Sequence, residues 1–263
     1  MPRPAWPGRH PIPVGTAWRW CLGPLTLYAD NRPSEWRLSW RSERDPTLEP
    51  GELGPIDPAD IPAEGLQAAR FTSHLDEVSL ELVPGLADRP VVIRPDTAFW
   101  LLGGERVDLF ASTPVWVGLR AGESGRTLTD LPSFRPSDTW FGPNPREGEL
   151  AYSSKTRARL DREPRVHPFR AATRITVVNH EADPLRIERV KVPVPNLALY
   201  LDEEGTFWTS PISLERIEGG TVGRLQVLDG PPAEAVGATL VAPARQPWRE
   251  AHGLTRALGA LLS

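Results

Sequence analysis

Short β-branched runs, cut at close intervals by turn residues, limit what this chain can become more than any other feature. Ala171–His180, Leu185–Val194, Leu197–Leu201, Phe207–Ile217 and Val222–Leu228 are each strand-length. His180-Glu181-Ala182-Asp183-Pro184, Asp202-Glu203-Glu204-Gly205 and Glu218-Gly219-Gly220 separate them. Such spacing predicts the antiparallel strands of a sandwich. Leu185 and Ile187 fall on one parity, whereas Val190, Val192 and Val194 fall on the other. One extra residue restores a single apolar face, which predicts a β-bulge at Glu188-Arg189.

The same period-two pattern runs upstream. Trp36, Leu38 and Trp40 alternate with Arg37, Ser39 and Arg41, so 17–29 and 35–42 are read as a hairpin around Asp30–Ser34. Val78, Leu80 and Leu82 alternate with Glu77, Ser79 and Glu81. Val91–Arg94, Ala98–Leu102, Val107–Ala111 and Val115–Arg120 follow, and Gly103-Gly104 predicts a two-residue hairpin between its neighbours. Residues 149–160 alternate again.

Two stretches break the pattern. Prolines 46, 50, 55, 58 and 62 predict a wrapping connection, with a short helix over Ala63–Phe71 behind an Asp60 cap. Residues 131–148 gather Pro132, Pro136, Pro143 and Pro145 with Gly142 and Gly148, which predicts a boundary loop between two β units. At the end, Trp248, Ala251, Leu254, Leu258 and Leu261 recur at helical spacing behind Pro247. The expected fold is all-β, with two antiparallel β-sandwich-like units, a Pro-rich wrapping loop and a short C-terminal amphipathic helix. Its expected divisions are a Pro-rich arm (1–16), an N-terminal β unit (17–130, with 45–70 irregular), the boundary (131–148), a β-sandwich (149–243) and the helix (244–263).

Composition excludes several classes. A chain of 263 residues buries a large core, about 70–75% of its unfolded surface. A formal charge of −4 gives no general affinity for nucleic acid or an anionic membrane. Cys21 is the only cysteine, so no intrachain disulfide and no thiolate zinc cluster can form. The start of the chain lacks the apolar stretch of a signal peptide, and no run of about 18 apolar residues occurs. These features predict a soluble, cytoplasmic protein without a transmembrane segment.

Candidate site residues concentrate in Phe134–Asn144. Asp138, Trp140, Phe141 and Asn144 are read there as a loop, either a platform stacking a sugar or partner side chain, or a plug in the joint between units. Among the ten tryptophans, Trp36, Trp40 and Trp116 read as core, while Trp6 and Trp248 read as docking anchors for another chain. Lys155, Arg157 and Arg159 share a strand face, followed by Arg162, Arg165, Arg170 and Arg174. Interleaved Glu149, Asp161 and Glu163 make surface pairing one account of that face; an anionic headgroup or acidic partner is the other.

No catalytic residue, metal site or cofactor is assigned. His180-Glu181-Ala182-Asp183 gives an incomplete metal shell and reads as a hairpin tip. His74 and Asp76 lie along a strand with nothing converging on them. Gly122-Glu123-Ser124-Gly125 misses the nucleophile-elbow pattern, and Glu203-Glu204 reads as an exposed turn. No phosphate loop or dinucleotide fingerprint occurs.

Leu22-Gly23-Pro24-Leu25 with Glu35-Trp36, Ser137-Asp138-Thr139-Trp140-Phe141-Gly142-Pro143, and Arg189 through Pro193-Val194-Pro195 resemble a prokaryotic domain-of-unknown-function family (number 432). The resemblance implies no activity, cofactor or catalytic residue. Members of that family accompany small-conductance mechanosensitive channels in bacteria, which implies an accessory role with a protein partner, including a membrane protein. Two classes stay open. One is a non-catalytic interaction or accessory protein of the prokaryotic cytoplasm. The other is a small-ligand or carbohydrate-binding module, or a degenerate β-sandwich enzyme, with a pocket at Trp140, Phe141 and Asn144. A pocket favours the second class; an exposed apolar patch or bare strand edge favours the first.

Overall fold

The computed structural model describes residues 6–72, 79–95, 97–122, 125–144, 146–158, 169–216 and 223–248. Among these the chain forms 22 strands and two single-turn 3₁₀ segments. After β1 (Gly8–Pro11), a meander of β2 (Ala17–Leu22), β3 (Leu25–Arg32) and β4 (Glu35–Ser42) pairs antiparallel in sequence order. The 17–29 run is therefore two strands. Gly23 turns the chain between them at φ 61°, close against the Leu48 carbonyl and the Phe169 ring.

The Pro-rich connection supplies both edges of this sheet. β5 (Leu53–Ile56) pairs with β2, and β6 (Gln67–Thr72) pairs with β4. The helix expected over Ala63–Phe71 does not form. Asp57, not Asp60, caps a 3₁₀ turn at Pro58–Asp60 by accepting from the Ala59 N–H. Gly65 then takes φ 78°, and Ala69 and Phe71 come to lie opposite Leu38 and Trp36. A ladder beside an existing strand satisfies every second backbone group there, whereas a two-turn helix of that length is unstable alone.

Next come β7 (Ser79–Gly85), β8 (Val91–Pro95), β9 (Phe99–Leu101), β10 (Arg106–Pro114), β11 (Trp116–Ala121) and β12 (Arg126–Pro132). β7 buries Leu80 and Leu82 on alternate positions and lies between β1 and β11. A turn does occur at Gly103-Gly104, where the Glu105 N–H donates to the Leu102 carbonyl and Gly104 takes φ 75°. Its flanking strands do not pair with each other. Gly103 is required by a different contact, since a Cβ there would lie 2.3 Å from the Ala182 carbonyl oxygen.

Residues 131–148, expected as a boundary loop, continue in strands. β13 (Ser137–Asn144) and β14 (Glu147–Ala158) form an antiparallel hairpin, and β14 also pairs parallel with β8. Gly142 and Gly148, read in the sequence as loop glycines, lie where the two backbones cross; a Cβ on Gly142 would sit 2.1 Å from the Glu147 carbonyl oxygen.

β15 (Arg170–Asn179) pairs with β10 along its length. β16 (Leu185–Ile187) then pairs with β9, and β17 (Val190–Val192) with β8. The predicted bulge at Glu188-Arg189 is thus a change of sheet: the chain leaves one ladder and enters another, and the parity of buried residues changes with it. A 3₁₀ turn at Val194–Asn196 leads to β18 (Leu199–Leu201), β19 (Phe207–Thr209), β20 (Ile212–Arg216), β21 (Gly223–Val227) and β22 (Thr239–Ala242). β19 and β20 run parallel to β15, so antiparallel pairing dominates but three described ladders are parallel. Residues 180–206 provide the crossover that a parallel pair needs. The expected tail helix begins at Pro247 and, beyond Trp248, lies outside the described residues. No helix among the described residues is long and apolar enough to cross a membrane.

One buried apolar cluster draws on all five sheets. Trp36 and Trp116 are buried in it and Trp40 packs on its margin, as alternation predicts. Trp6 departs from its reading as an anchor for another chain. It is 2% exposed, with its ring 6.3 Å from Phe169 and 6.2 Å from Phe207. The arm that carries it is held by Asn31, whose amide donates to the Ile12 carbonyl at 2.7 Å, and by the β1–β7 ladder. Replacing Trp6 with Ala is expected to cost about 3–5 kcal/mol, the range for a buried aromatic. Urea unfolding of the full chain measures it, and a loss below about 1 kcal/mol contradicts the core assignment.

Candidate functional site

The sheet ordered β13-β14-β8-β17 carries most of the residues that the sequence singles out. Asp138, on β13, accepts from Arg135 at 3.1 Å and from Arg89 at 3.2 Å. Both guanidinium groups also lie over the Tyr152 ring, 5.7 and 5.4 Å from its centre. Tyr152 donates its hydroxyl to Asp88 at 2.9 Å. Burial, and then that hydrogen bond to a carboxylate, push the phenol above its ordinary range.

Strand alternation separates Trp140 from Phe141. Phe141 is buried with Val92 and Ala151, beneath the Arg189 and Lys191 cations at 5.5 and 5.8 Å. Trp140 points the other way and is 46% exposed, as is its cross-strand neighbour Leu150. The Trp140 indole lies against Gly148, where a Cβ would come within 2.5 Å of Nε1. The Nε1–Cε2 side of the ring thus lies against backbone that only glycine leaves clear. Asn144 sits at the end of the hairpin, in register with Glu147. Phe141 therefore faces away from Asp138 and Trp140, which lie two positions apart on one side of β13.

Lys155 and Arg157 fall on β14, with Arg157 in register with Arg94 of β8, and Arg159 lies outside the described residues. His180 Nε2 is 3.9 Å from the Glu215 carboxylate. His74 and Asp76 lie outside the described residues. Among the described residues no group of three or more His, Cys, Asp or Glu side chains is arranged to hold a metal.

A cleft of about 520 Å³ opens where residues 245–248 cross this sheet, and it brings together groups that the sequence did not connect. Trp248 forms one wall, half-buried against the core rather than projecting as an anchor. Lys191, 9% exposed, is ion-paired with Glu149 inside it. Asn196 donates to the Gln246 and Pro247 carbonyls at 3.3 and 3.4 Å, and the Gln246 N–H donates to the Pro195 carbonyl at 2.9 Å. Behind the wall, Arg245 donates through Nε to the Leu86 carbonyl at 2.6 Å and is ion-paired with Asp130. Burial pushes the Asp130 carboxyl up, and the Arg245 charge only partly offsets it. The signal for this site is faint in sequence: Lys191 is one of only two lysines and interrupts the valine run of β17.

Residues 8–261 match the family described as "Protein of unknown function (DUF432)". No curated protein and no solved structure matches the chain.

Arg245 is the clamp that sets the cleft wall, so its loss has a definite signature. Arg245→Ala leaves Asp130 without its counter-ion, at an expected cost of about 1–3 kcal/mol at neutral pH. The sign follows from linkage: an Asp whose folded pKa is raised binds its proton more tightly folded than unfolded, so stability falls as pH rises above the ordinary Asp range. Removing Arg245 raises that pKa further. The variant is therefore expected to lie closest to wild type in acid, to fall behind as pH rises, and to regain part of the loss with Asp130→Asn. Urea unfolding at acidic and neutral pH measures this; a pH-independent penalty contradicts it.

Proposed function

The chain belongs to the DUF432 family, and from that premise we propose that it is a non-catalytic interaction protein gripping a protein partner through the β13–β14 hairpin. The observation that carries this reading is the Trp140–Leu150 pair, two large apolar side chains side by side, each 46% exposed. Because the indole already lies against the Gly148 backbone, binding costs Trp140 little rotamer entropy. Tryptophan is among the side chains enriched in the energetic hot spots near the centre of protein interfaces.

The strand edge adds a second means of recognition. β13 is the outermost strand of its sheet, and among the described residues no strand pairs with its other side. Its outward N–H and C=O groups suit an extended partner segment added as a further strand, with Trp140 contacting alternate side chains. Arg135, Arg89 and Asp138 form a salt-linked rim beside it. The family's association with mechanosensitive channels supports a membrane protein as the partner. Lone Cys21 and the charge of −4 support a cytoplasmic protein that does not bind nucleic acid.

The test is a pull-down with the tagged full chain from soluble and detergent-solubilised membrane fractions, followed by binding of the identified partner in purified form. Trp140→Ala with Leu150→Ser is expected to weaken that binding by about 2 kcal/mol, roughly thirtyfold, with stability unchanged within about 0.5 kcal/mol. Hydrogen exchange is expected to slow at the β13 amides in the complex. An equally tight complex with the double variant, or a partner that leaves β13 exchange unchanged, overturns the reading.

A further inference from the structure

The cleft beside Trp248 draws on the face of β14 that carries Glu149 rather than the face of Trp140 and Leu150, with Arg89 at the rim of both, and calls for an occupant of a different kind. Its volume of about 520 Å³ falls within the range of small-ligand sites, about 300–1,000 Å³. We propose that it is a saccharide-binding site taking a neutral mono- or disaccharide.

Charge is the first argument. Among the described residues, the ionisable side chains that line the cleft are two acids, Asp88 and Glu149, and two bases, Arg89 and Lys191. Glu149 holds Lys191, and Asp88 lies 3.6 Å from Arg89 while accepting from Tyr152. The described lining is therefore balanced in charge, with each charged group already paired and Arg89 held by Asp138 as well. An anion entering it meets two carboxylates, a cation meets two bases, and either has to break an existing pair. A purely apolar ligand strips water from those pairs and gives no hydrogen bond in return. A hydroxyl group differs from all three: it donates to the carboxylate and accepts from the cation at the same time, leaving the pair intact.

The walls supply the second argument. Trp248 stands among Pro90, Pro193, Pro195 and Pro247. Proline rings lose no side-chain rotamer entropy on contact, and an indole offers a broad face to the C–H side of a pyranose ring. The Asn196 amide is already committed to the Gln246 and Pro247 carbonyls, so the wall that carries the indole is built before ligand arrives. An indole in the wall, a rigid apolar rim and paired donors and acceptors match a ring with hydroxyls on its edge and C–H groups on its faces.

The test is titration calorimetry and saturation-transfer NMR on the full chain with maltose, cellobiose and N,N′-diacetylchitobiose, with inorganic phosphate and glucose 1-phosphate as anionic probes. At least one neutral disaccharide is expected to bind saturably. Trp248→Ala is expected to weaken it about tenfold or more, Trp248→Phe to restore part of the loss, and Trp140→Ala to leave it unchanged. Glu149→Gln keeps the shape of the site and is expected to weaken binding independently of any folding defect in the Trp248 variants. No saturable binding of any of the three sugars, tighter binding of either anionic probe, or sugar binding indifferent to both Trp248→Phe and Glu149→Gln overturns the proposal.

Discussion

The ladder between β10 and β15 is the interaction on which the rest of the molecule depends. It runs without a register break from Arg106 opposite Val178 to Pro114 opposite Arg170, and it joins residues from the two halves of the chain. β15 is paired on its other edge as well, with β19 and then β20. Polar groups fasten it where apolar contact alone would permit a slip. Asp108 accepts from both Arg174 and Thr176, and the Thr209 hydroxyl donates to Thr173. At its end Asn179 donates to the carbonyls of Leu101, Leu102 and Asp183. That side-chain amide fixes the turn at Gly103-Gly104 against residues 181–183, and so fixes where β16 starts.

Both proposed surfaces follow from that start point. Once β16 is seated on β9, the chain has only Glu188 and Arg189 in which to change sheets before β17 joins β8. The switch delivers Lys191 under Glu149 and over Phe141, and the following prolines into the cleft. Phe141 is therefore held from within by the strand that also furnishes the cleft floor. Trp140, one position along, is turned outward by the same pleat. The two surfaces share a sheet and differ in the face that they use.

Much of the local structure was legible in the residues. Alternation located β4 and β7 and assigned their buried sides, because a half-buried strand writes its geometry into period two, whereas β15, buried on both sides, showed only as a β-branched run. Pairing was less legible, since it is decided by surfaces far apart in sequence. Gly103-Gly104 announced a turn but not that its flanking strands diverge to different partners. The parity change near Glu188 was visible, yet a bulge and a change of sheet leave the same trace in a single chain. Gly142 and Gly148 misled: glycine serves an open loop and a close backbone crossing equally well, and only the partner strand tells them apart. Of the site residues, Trp140 and Trp248 stood out by type, whereas Glu149, Asn196 and Arg245 acquire meaning only from what the fold sets beside them.

The placement of Arg245 and Trp6 bears on how the chain is made. Trp6 completes a core against Phe169 and Phe207, while Arg245 ties down Leu86 and Asp130 from the far end of the described chain. β8 lacks both of its neighbours until β14 and β17 have been synthesised. On the ribosome the apolar strand β8 thus waits without a partner until each of these has emerged, so its burial is set by long-range pairing rather than by the local meander of β2, β3 and β4.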